Sequence, residues 1–298
     1  MSASRTGTAY GVVAYAMWGL FPLYWPLLEP AHALEVLAHR VLWSLLVVAV
    51  LVLGGVTGGL AAVRRLRRDQ VARLVLAASL LAVNWGTYIY GVNSGQVVET
   101  SLGYFINSLV SVALGVLVLG ERLRPAQQVA VGIASVAVVV LTVEAGRPPV
   151  IALVLAFTFG CYGLLKKQAA VGAVASLSVE TAALAPVAAA YLGYLGLTGG
   201  ATFASHGAGH ALLLASAGLV TTGPLLAFGA AATRIPLSTL GVLQYIAPSL
   251  QLACGLVVAG EAFGPAQAVG FSLVWVALLV FTTDLVRTHR RPLLVAAA

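Results

Sequence analysis

Leu119-Gly120-Glu121-Arg122-Leu123-Arg124-Pro125-Ala126-Gln127 is answered 140 residues later by Ala259-Gly260-Glu261-Ala262-Phe263-Gly264-Pro265-Ala266-Gln267. Glu121 aligns with Glu261 and Pro125 with Pro265. Thr100-Ser101-Leu102-Gly103 likewise meets Ser238-Thr239-Leu240-Gly241, and Gly91 meets Gly229, at an offset of 138. The two-residue difference requires a small insertion early in the ninth apolar run, near 237–259. Trp18-Gly19 resembles Phe159-Gly160 at an offset of 141. The chain therefore reads as a duplication, residues 1–145 followed by 146–298.

Each copy is too greasy for water. The 298 residues are 60% hydrophobic and 8% charged, with a mean hydropathy of +1.00. A soluble domain carries about 25% charged residues, so lipid must cover this apolar surface. Spanning a bilayer takes about 20 mostly apolar residues. Runs of that kind lie near 7–28, 33–53, 71–91, 98–119 and 126–143, then near 150–165, 175–195, 211–231, 237–259 and 266–286. The fold class is an all-α polytopic membrane protein of ten transmembrane helices. Five spans per copy is an odd number, so duplication turns the second copy over, giving two inverted five-helix repeats. That architecture recurs in secondary transporters, with the solute site at the midplane between repeats.

Charge sets the orientation. With the N-terminus inside, Arg5, Arg64, Arg65, Arg67, Arg68, Arg73, Arg122, Arg124, Lys166, Lys167, Arg234, Arg287, Arg290 and Arg291 fall on the cytoplasmic side. Only Arg147 falls outside, and Arg40 is embedded. The positive-inside rule then puts both termini in the cytoplasm. The net charge of +7 is explained by topology and lipid headgroups, not nucleic acid. Cys161 and Cys254 lie within spans and suggest no disulfide framework. Pro22 and Pro26 in the first apolar stretch suit a spanning helix better than a cleavable signal.

Polar residues inside spans are costly and face the bundle interior, a cavity or one another. The fourth span carries Ser101, Tyr104, Ser108, Ser111 and Gly115 at steps of three and four, one helical face. The ninth repeats the pattern with Gly241, Gln244, Pro248, Gln251 and Gly255. Both stripes line a solute pathway, or else they form a small-residue packing seam. Asn84, Trp85 and Tyr88 on the third span, Asn107 on the fourth, Thr221 and Thr222 beside Pro224 on the eighth, and Tyr245 on the ninth are further pathway candidates. Asn93 lies near the outer end of the third span.

The embedded charges are sharper. Glu35 and His39 lie one turn apart on the second span, within pairing reach. Arg40 lies about 10 Å in from that span's start. Glu180 sits in the partner span of the second copy. These groups bind solute charge or exchange a proton, or they are ion pairs bracing helix ends; Glu99 is open in the same way. Glu121 and Glu261, each before a proline, read as caps of the helix that follows. His206 and His210 sit in a Gly-rich loop without carboxylates or cysteines, which suggests no metal site. No phosphate loop, HExxH, GxSxG or dinucleotide fingerprint occurs, so neither ATP-driven pumping nor an enzymatic role is indicated, and no cofactor is called for. Gly7-x-x-x-Gly11 could pack helices within or between chains, so oligomeric state stays open.

Tyr15-Ala16-Met17-Trp18-Gly19, His39 to Ser44, Ser101 to Asn107, Val118 to Arg122, Ala231 to Arg234 and Leu237 through Ile246 together resemble the RarD-type branch of the EamA family, in the drug/metabolite transporter superfamily. The resemblance covers essentially the whole chain. It implies two inverted EamA repeats around a central cavity, a bacterial inner membrane, and export or exchange of small organic solutes. It also implies a link to chloramphenicol sensitivity or resistance. Ser108 stands where the family run continues with proline, which implies a fourth span less kinked than the ninth, where Pro248 is kept. Three readings compete: a secondary exporter with protons as the coupling ion, an exchanger of anionic metabolites, and a non-transporting sensor or assembly protein.

Overall fold

The computed structural model describes residues 3–93, 97–145 and 150–257, together with 265, 268–270, 272–273, 275–280 and 283–284. At 3, 92–93, 97–99, 101–102, 141, 144–145, 252 and 255–257 it describes the backbone alone. The side chains of Asn93, Glu99, Ser101 and Gly255, and the whole of Glu261, Arg147, Arg287, Arg290 and Arg291, lie outside the described residues.

Helices account for nearly all of what is described, and no strand occurs among those residues. In chain order they are α1 (Ala3–Gly19), α2 (Ala33–Leu53), α3 (Gly59–Arg64), α4 (Arg68–Asn93), α5 (Val97–Leu117), α6 (Pro125–Ala145) and α7 (Val150–Ala169). There follow α8 (Ala173–Thr198), α9 (Gly207–Ala232), α10 (Leu237–Leu243) and α11 (Ile246–Val257), and every described residue from 265 to 284 is helical. Five of these, α2, α4, α7, α8 and α9, are long and apolar enough to cross a bilayer. A helix is the element that satisfies every backbone group within lipid.

Burial is inverted relative to a soluble protein. Leu197 is 92% exposed, and Leu53, Leu117, Val143 and Val187 also face outward. Glu35 is fully buried, with His39, Ser44, Asn84, Asn107 and Glu180 also inside. Apolar side chains outward and polar ones inward is the arrangement of a polytopic membrane protein.

The helices interleave across the middle of the sequence. α2 packs on α8 and α9, α4 on α7 and α8, α1 on α9 and α11, and α5 on α7 and α10. Small residues allow the close crossings. A Cβ at Gly218 of α9 would fall 2.4 Å from the Cβ of Trp43 on α2. Gly7 and Gly11 are used inside the chain, where added carbons would strike Arg234 and Leu243.

Two spans differ from the sequence expectation. The first ends as an α-helix at Gly19 and continues as 3₁₀ turns, Phe21–Leu23 and Trp25–Leu28, because Pro22 and Pro26 cannot donate to an α-helical ladder. The ninth is two helices, α10 and α11, with a turn at Gln244 and Tyr245. Pro248 lacks the N–H that would bond the Gln244 carbonyl four residues back, and that carbonyl accepts from Ala247 instead, at 3.1 Å. α5, with Ser108 at the corresponding place, is continuous.

Candidate functional site

α2 is apolar for most of its length, so its charged first turns must find partners on neighbouring elements. Arg40 finds rings. Its guanidinium carbon lies 4.3 Å from the Trp85 ring centre on α4, 4.8 Å from that of Trp25 and 5.9 Å from that of Phe21, on the two 3₁₀ turns. Its Nε donates to Thr221 Oγ1 on α9 at 2.9 Å. Tyr24, Tyr88 and Tyr104 lie within electrostatic reach, and the Tyr88 and Tyr104 rings meet edge to face at 6.1 Å. Among the described residues no carboxylate pairs with Arg40. The expected residues Arg40, Trp85, Tyr88, Tyr104 and Thr221 thus converge from α2, α4, α5 and α9. Phe21, Tyr24 and Trp25 complete the group; the broken helix that carries them was the missing signal.

A second cluster lies one turn closer to the start of α2. Glu35 and His39 do not pair with each other, contrary to expectation. Glu35 Oε1 accepts the backbone N–H of Thr202 at 2.7 Å, because that buried loop amide needs an acceptor. Its Oε2 faces no donor among the described residues. His39 Nδ1 accepts from Trp43 Nε1 at 3.2 Å, and its ring stacks on Phe203 at 4.9 Å. His210 reaches the cluster through Thr202, 2.9 Å from Nε2 to the hydroxyl. His210, expected in a Gly-rich loop, lies in the first turn of α9, and the fold links it to Glu35 through Thr202.

Glu180 belongs elsewhere. It is buried against Lys166, whose Nζ also contacts Ser176 Oγ at 2.6 Å, and Tyr162 donates to Glu180 Oε2 at 3.2 Å. Lys166 was counted among the cytoplasmic loop charges. It is instead 4% exposed in the last turn of α7, where Glu180 compensates its charge.

Glu121 does not cap the helix that follows it. Gln127 serves α6, accepting from the Arg124 N–H at 2.9 Å. The Glu121 carboxylate accepts the N–H groups of Leu237 and Ser238, at 2.7 and 2.9 Å, and the Ser238 hydroxyl at 2.7 Å. It caps α10, where free N–H groups and the helix dipole favour a carboxylate.

The two stripes pack face to face. A Cβ at Gly241 would sit 2.7 Å from the Ser108 carbonyl oxygen and 3.0 Å from the Ser111 Cβ, and one at Gly115 would sit 3.0 Å from the Ser238 nitrogen. Ser111 and Asn107 interact within α5 at 3.4 Å. Asn84 donates to the Leu155 carbonyl and Thr158 on α7, at 2.9 and 3.0 Å. Gln251 donates to the Trp18 carbonyl at 3.3 Å, and the Tyr245 ring packs 6.1 Å from Phe105. Thr222 Oγ1 and Gln244 Oε1 are buried without a hydrogen-bond partner among the described residues. Those residues hold no group of three or more His, Cys, Asp or Glu placed to bind a metal.

The model of the EamA-like transporter family matches residues 5–143. Protein RarD of Streptomyces exfoliatus is 56% identical over 289 residues, covering 96% of this chain and 91% of its own. The chain is a RarD-type member of the EamA family. This EamA member is also 43% identical over 290 residues to the uncharacterized transporter YojE of Bacillus subtilis (strain 168), covering 96% of this chain and 97% of that one. A solved crystal structure shares its fold with a TM-score of 0.71 at 20% identity, over 94% of this chain and 98% of the other. Family, relatives and apolar helices together make it a multi-pass membrane transporter.

Proposed function

We propose that this EamA member is a secondary active transporter of small organic solutes, with its solute site around Arg40 where the two halves meet. It has ten spans, in two halves of opposite orientation divided near residue 145. It sits in a bacterial inner membrane with both termini cytoplasmic. The family match over 5–143 supports the division, because it covers one repeat. The packing supports a two-fold relation between the halves, which an odd number of spans in each would make an inversion. Exchanging the first, second, third and fourth spans for the sixth, seventh, eighth and ninth turns α1–α9 contacts into α7–α4, α2–α9 into α8–α4, and α1–α11 into α7–α5. Contacts of α2 with α8 and of α5 with α10 map onto themselves. Trp18 and Phe159, equivalent at offset 141, touch ring to ring at 5.7 Å, as residues near a two-fold axis would.

The single observation that carries the transport reading is the bond from Arg40 of the first half to Thr221 of the second. Rocking of one half against the other would remake that contact, which couples the site to alternating access. Glu35, with one carboxylate oxygen bonded and the other without a donor among the described residues, is the group for proton exchange, with His39 and His210 beside it. Chloramphenicol is a candidate solute through the branch resemblance.

Flux of chloramphenicol and a panel of small organic acids into proteoliposomes, with and without an imposed pH gradient, tests the proposal. A gradient-dependent flux is expected, and Glu35→Gln should leave flux that no longer responds to the gradient. Movement of none of the solutes in either condition contradicts transport. An unchanged gradient response in Glu35→Gln reduces Glu35 to a support for the 199–206 loop.

A further inference from the structure

We propose that Arg40 is the receptor for an organic monoanion, an aromatic carboxylate, bound by a charge that no acid pairs among the described residues; this rests on the transporter reading above for its site. A guanidinium has five N–H donors. Nε is spent on Thr221, at 2.9 Å, and among the described residues no acceptor takes the terminal N–H groups. The two cations in the last turn of α7 are satisfied: Lys166 by Glu180 and Ser176, Lys167 by the Ile235 carbonyl at 2.6 Å with Glu121 at 3.8 Å. A charge left bare inside a membrane protein is costly, and aromatic faces recover only part of that. The arrangement is stable enough to fold and incomplete enough to bind.

The class of ligand follows from what surrounds the charge. The Trp25 and Trp85 rings flank the guanidinium, and Thr221 holds Nε, which orients its terminal fork. A carboxylate matches that fork with two parallel hydrogen bonds, which an ammonium could not form. Tyr88, Tyr104 and the two tryptophans present ring surface for a flat apolar body. One cation balances one negative charge, which disfavours phosphate dianions. Glu180 is neutralised by Lys166, and Glu35 holds the Thr202 amide in the neighbouring cluster, so among the described residues no acid pairs within the ring set around Arg40. The fit is therefore to an aromatic acid rather than to a sugar phosphate.

Benzoate, its neutral isostere benzamide and inorganic phosphate are suitable probes, each titrated calorimetrically into the purified full-length chain in detergent. Wild type should bind benzoate about tenfold or more tighter than benzamide, with no competition from equimolar phosphate. Arg40→Gln should abolish the preference, weakening benzoate far more than benzamide. Arg40→Lys should weaken benzoate alone, having lost the fork. Should Arg40→Gln not fold, Thr221→Val keeps the charge but frees the fork, and should weaken benzoate several-fold and benzamide by less. Equal binding of benzoate and benzamide by wild type, displacement by phosphate, or a preference that survives Arg40→Gln overturns the proposal. Gradient-driven flux of neutral chloramphenicol without benzoate binding would leave transport standing and this inference refuted. Arg40-dependent benzoate binding without any flux would do the reverse.

Discussion

Lys166, buried, and Arg40, half-buried, are both cations within apolar helices, and the chain resolves them in opposite ways. Lys166 meets Glu180, Ser176 and the Tyr162 ring, and Ser176 and Tyr162 both donate to the same carboxylate, at 2.7 and 3.2 Å. Each polar group in that knot has a partner, and the knot ties α7 to α8. Arg40 meets three rings and one hydroxyl, with no acid among the described residues. A charge closed within the protein braces two helices. A charge left without an acid partner among elements distant in the sequence is, on the reading proposed above, placed to meet something that comes and goes.

The largest effect that would break this comparison is on the closed side. Glu180→Gln strands a buried ammonium, and removing one partner of a buried pair costs about 3–5 kcal/mol. The variant should lose that much stability in thermal melts of the detergent-solubilised protein. Replacing Lys166 and Glu180 together by Met and Leu should recover most of it. Unchanged melting of Glu180→Gln would mean that the knot does not brace the fold.

A smaller effect sharpens the closed side at another carboxylate. Glu121 holds the first N–H groups of α10 from across the molecule. Glu121→Ala should destabilise by about 1–2 kcal/mol, the range of a lost N-cap with its dipole contribution. Hydrogen exchange at the Leu237 and Ser238 amides should rise in that variant and not at α6.

The smallest effect sharpens the open side. Thr222 is 2% exposed, and its hydroxyl is unpartnered among the described residues. Thr222→Val removes a buried polar atom of nearly the same volume, and the melt should be unchanged or raised by up to about 1 kcal/mol. A clear loss of stability would show that the hydroxyl has a partner, such as ordered water.

The sequence was most legible where composition and periodicity decide. Apolar runs placed the described helices, and Pro248 pointed to the kink in the ninth span, whereas the first span, read as continuous over 7–28, breaks at Pro22 and Pro26. Side-chain partnership across distant helices was not legible. Lys166 read as a loop charge because it follows an apolar run; its acid lies on the next helix, beyond a turn the sequence does not orient. Glu121 read as a local cap because Pro125 follows it, whereas the amides it binds lie more than a hundred residues on. Arg40, Trp85, Tyr104 and Thr221 were each candidates, but periodicity fixes only the face of one helix. It does not fix which faces meet.

The central claim is that the charge of Arg40 serves a ligand and not the fold. The most direct measurement pairs benzoate uptake into proteoliposomes with the melting temperature of the same preparation, for Arg40→Gln beside wild type. Uptake should be lost while the melt stays within about 3 °C, a shift of roughly 1 kcal/mol for a chain of this size. A melt that falls as far as that of Glu180→Gln, or uptake that persists at the wild-type rate, would contradict the account.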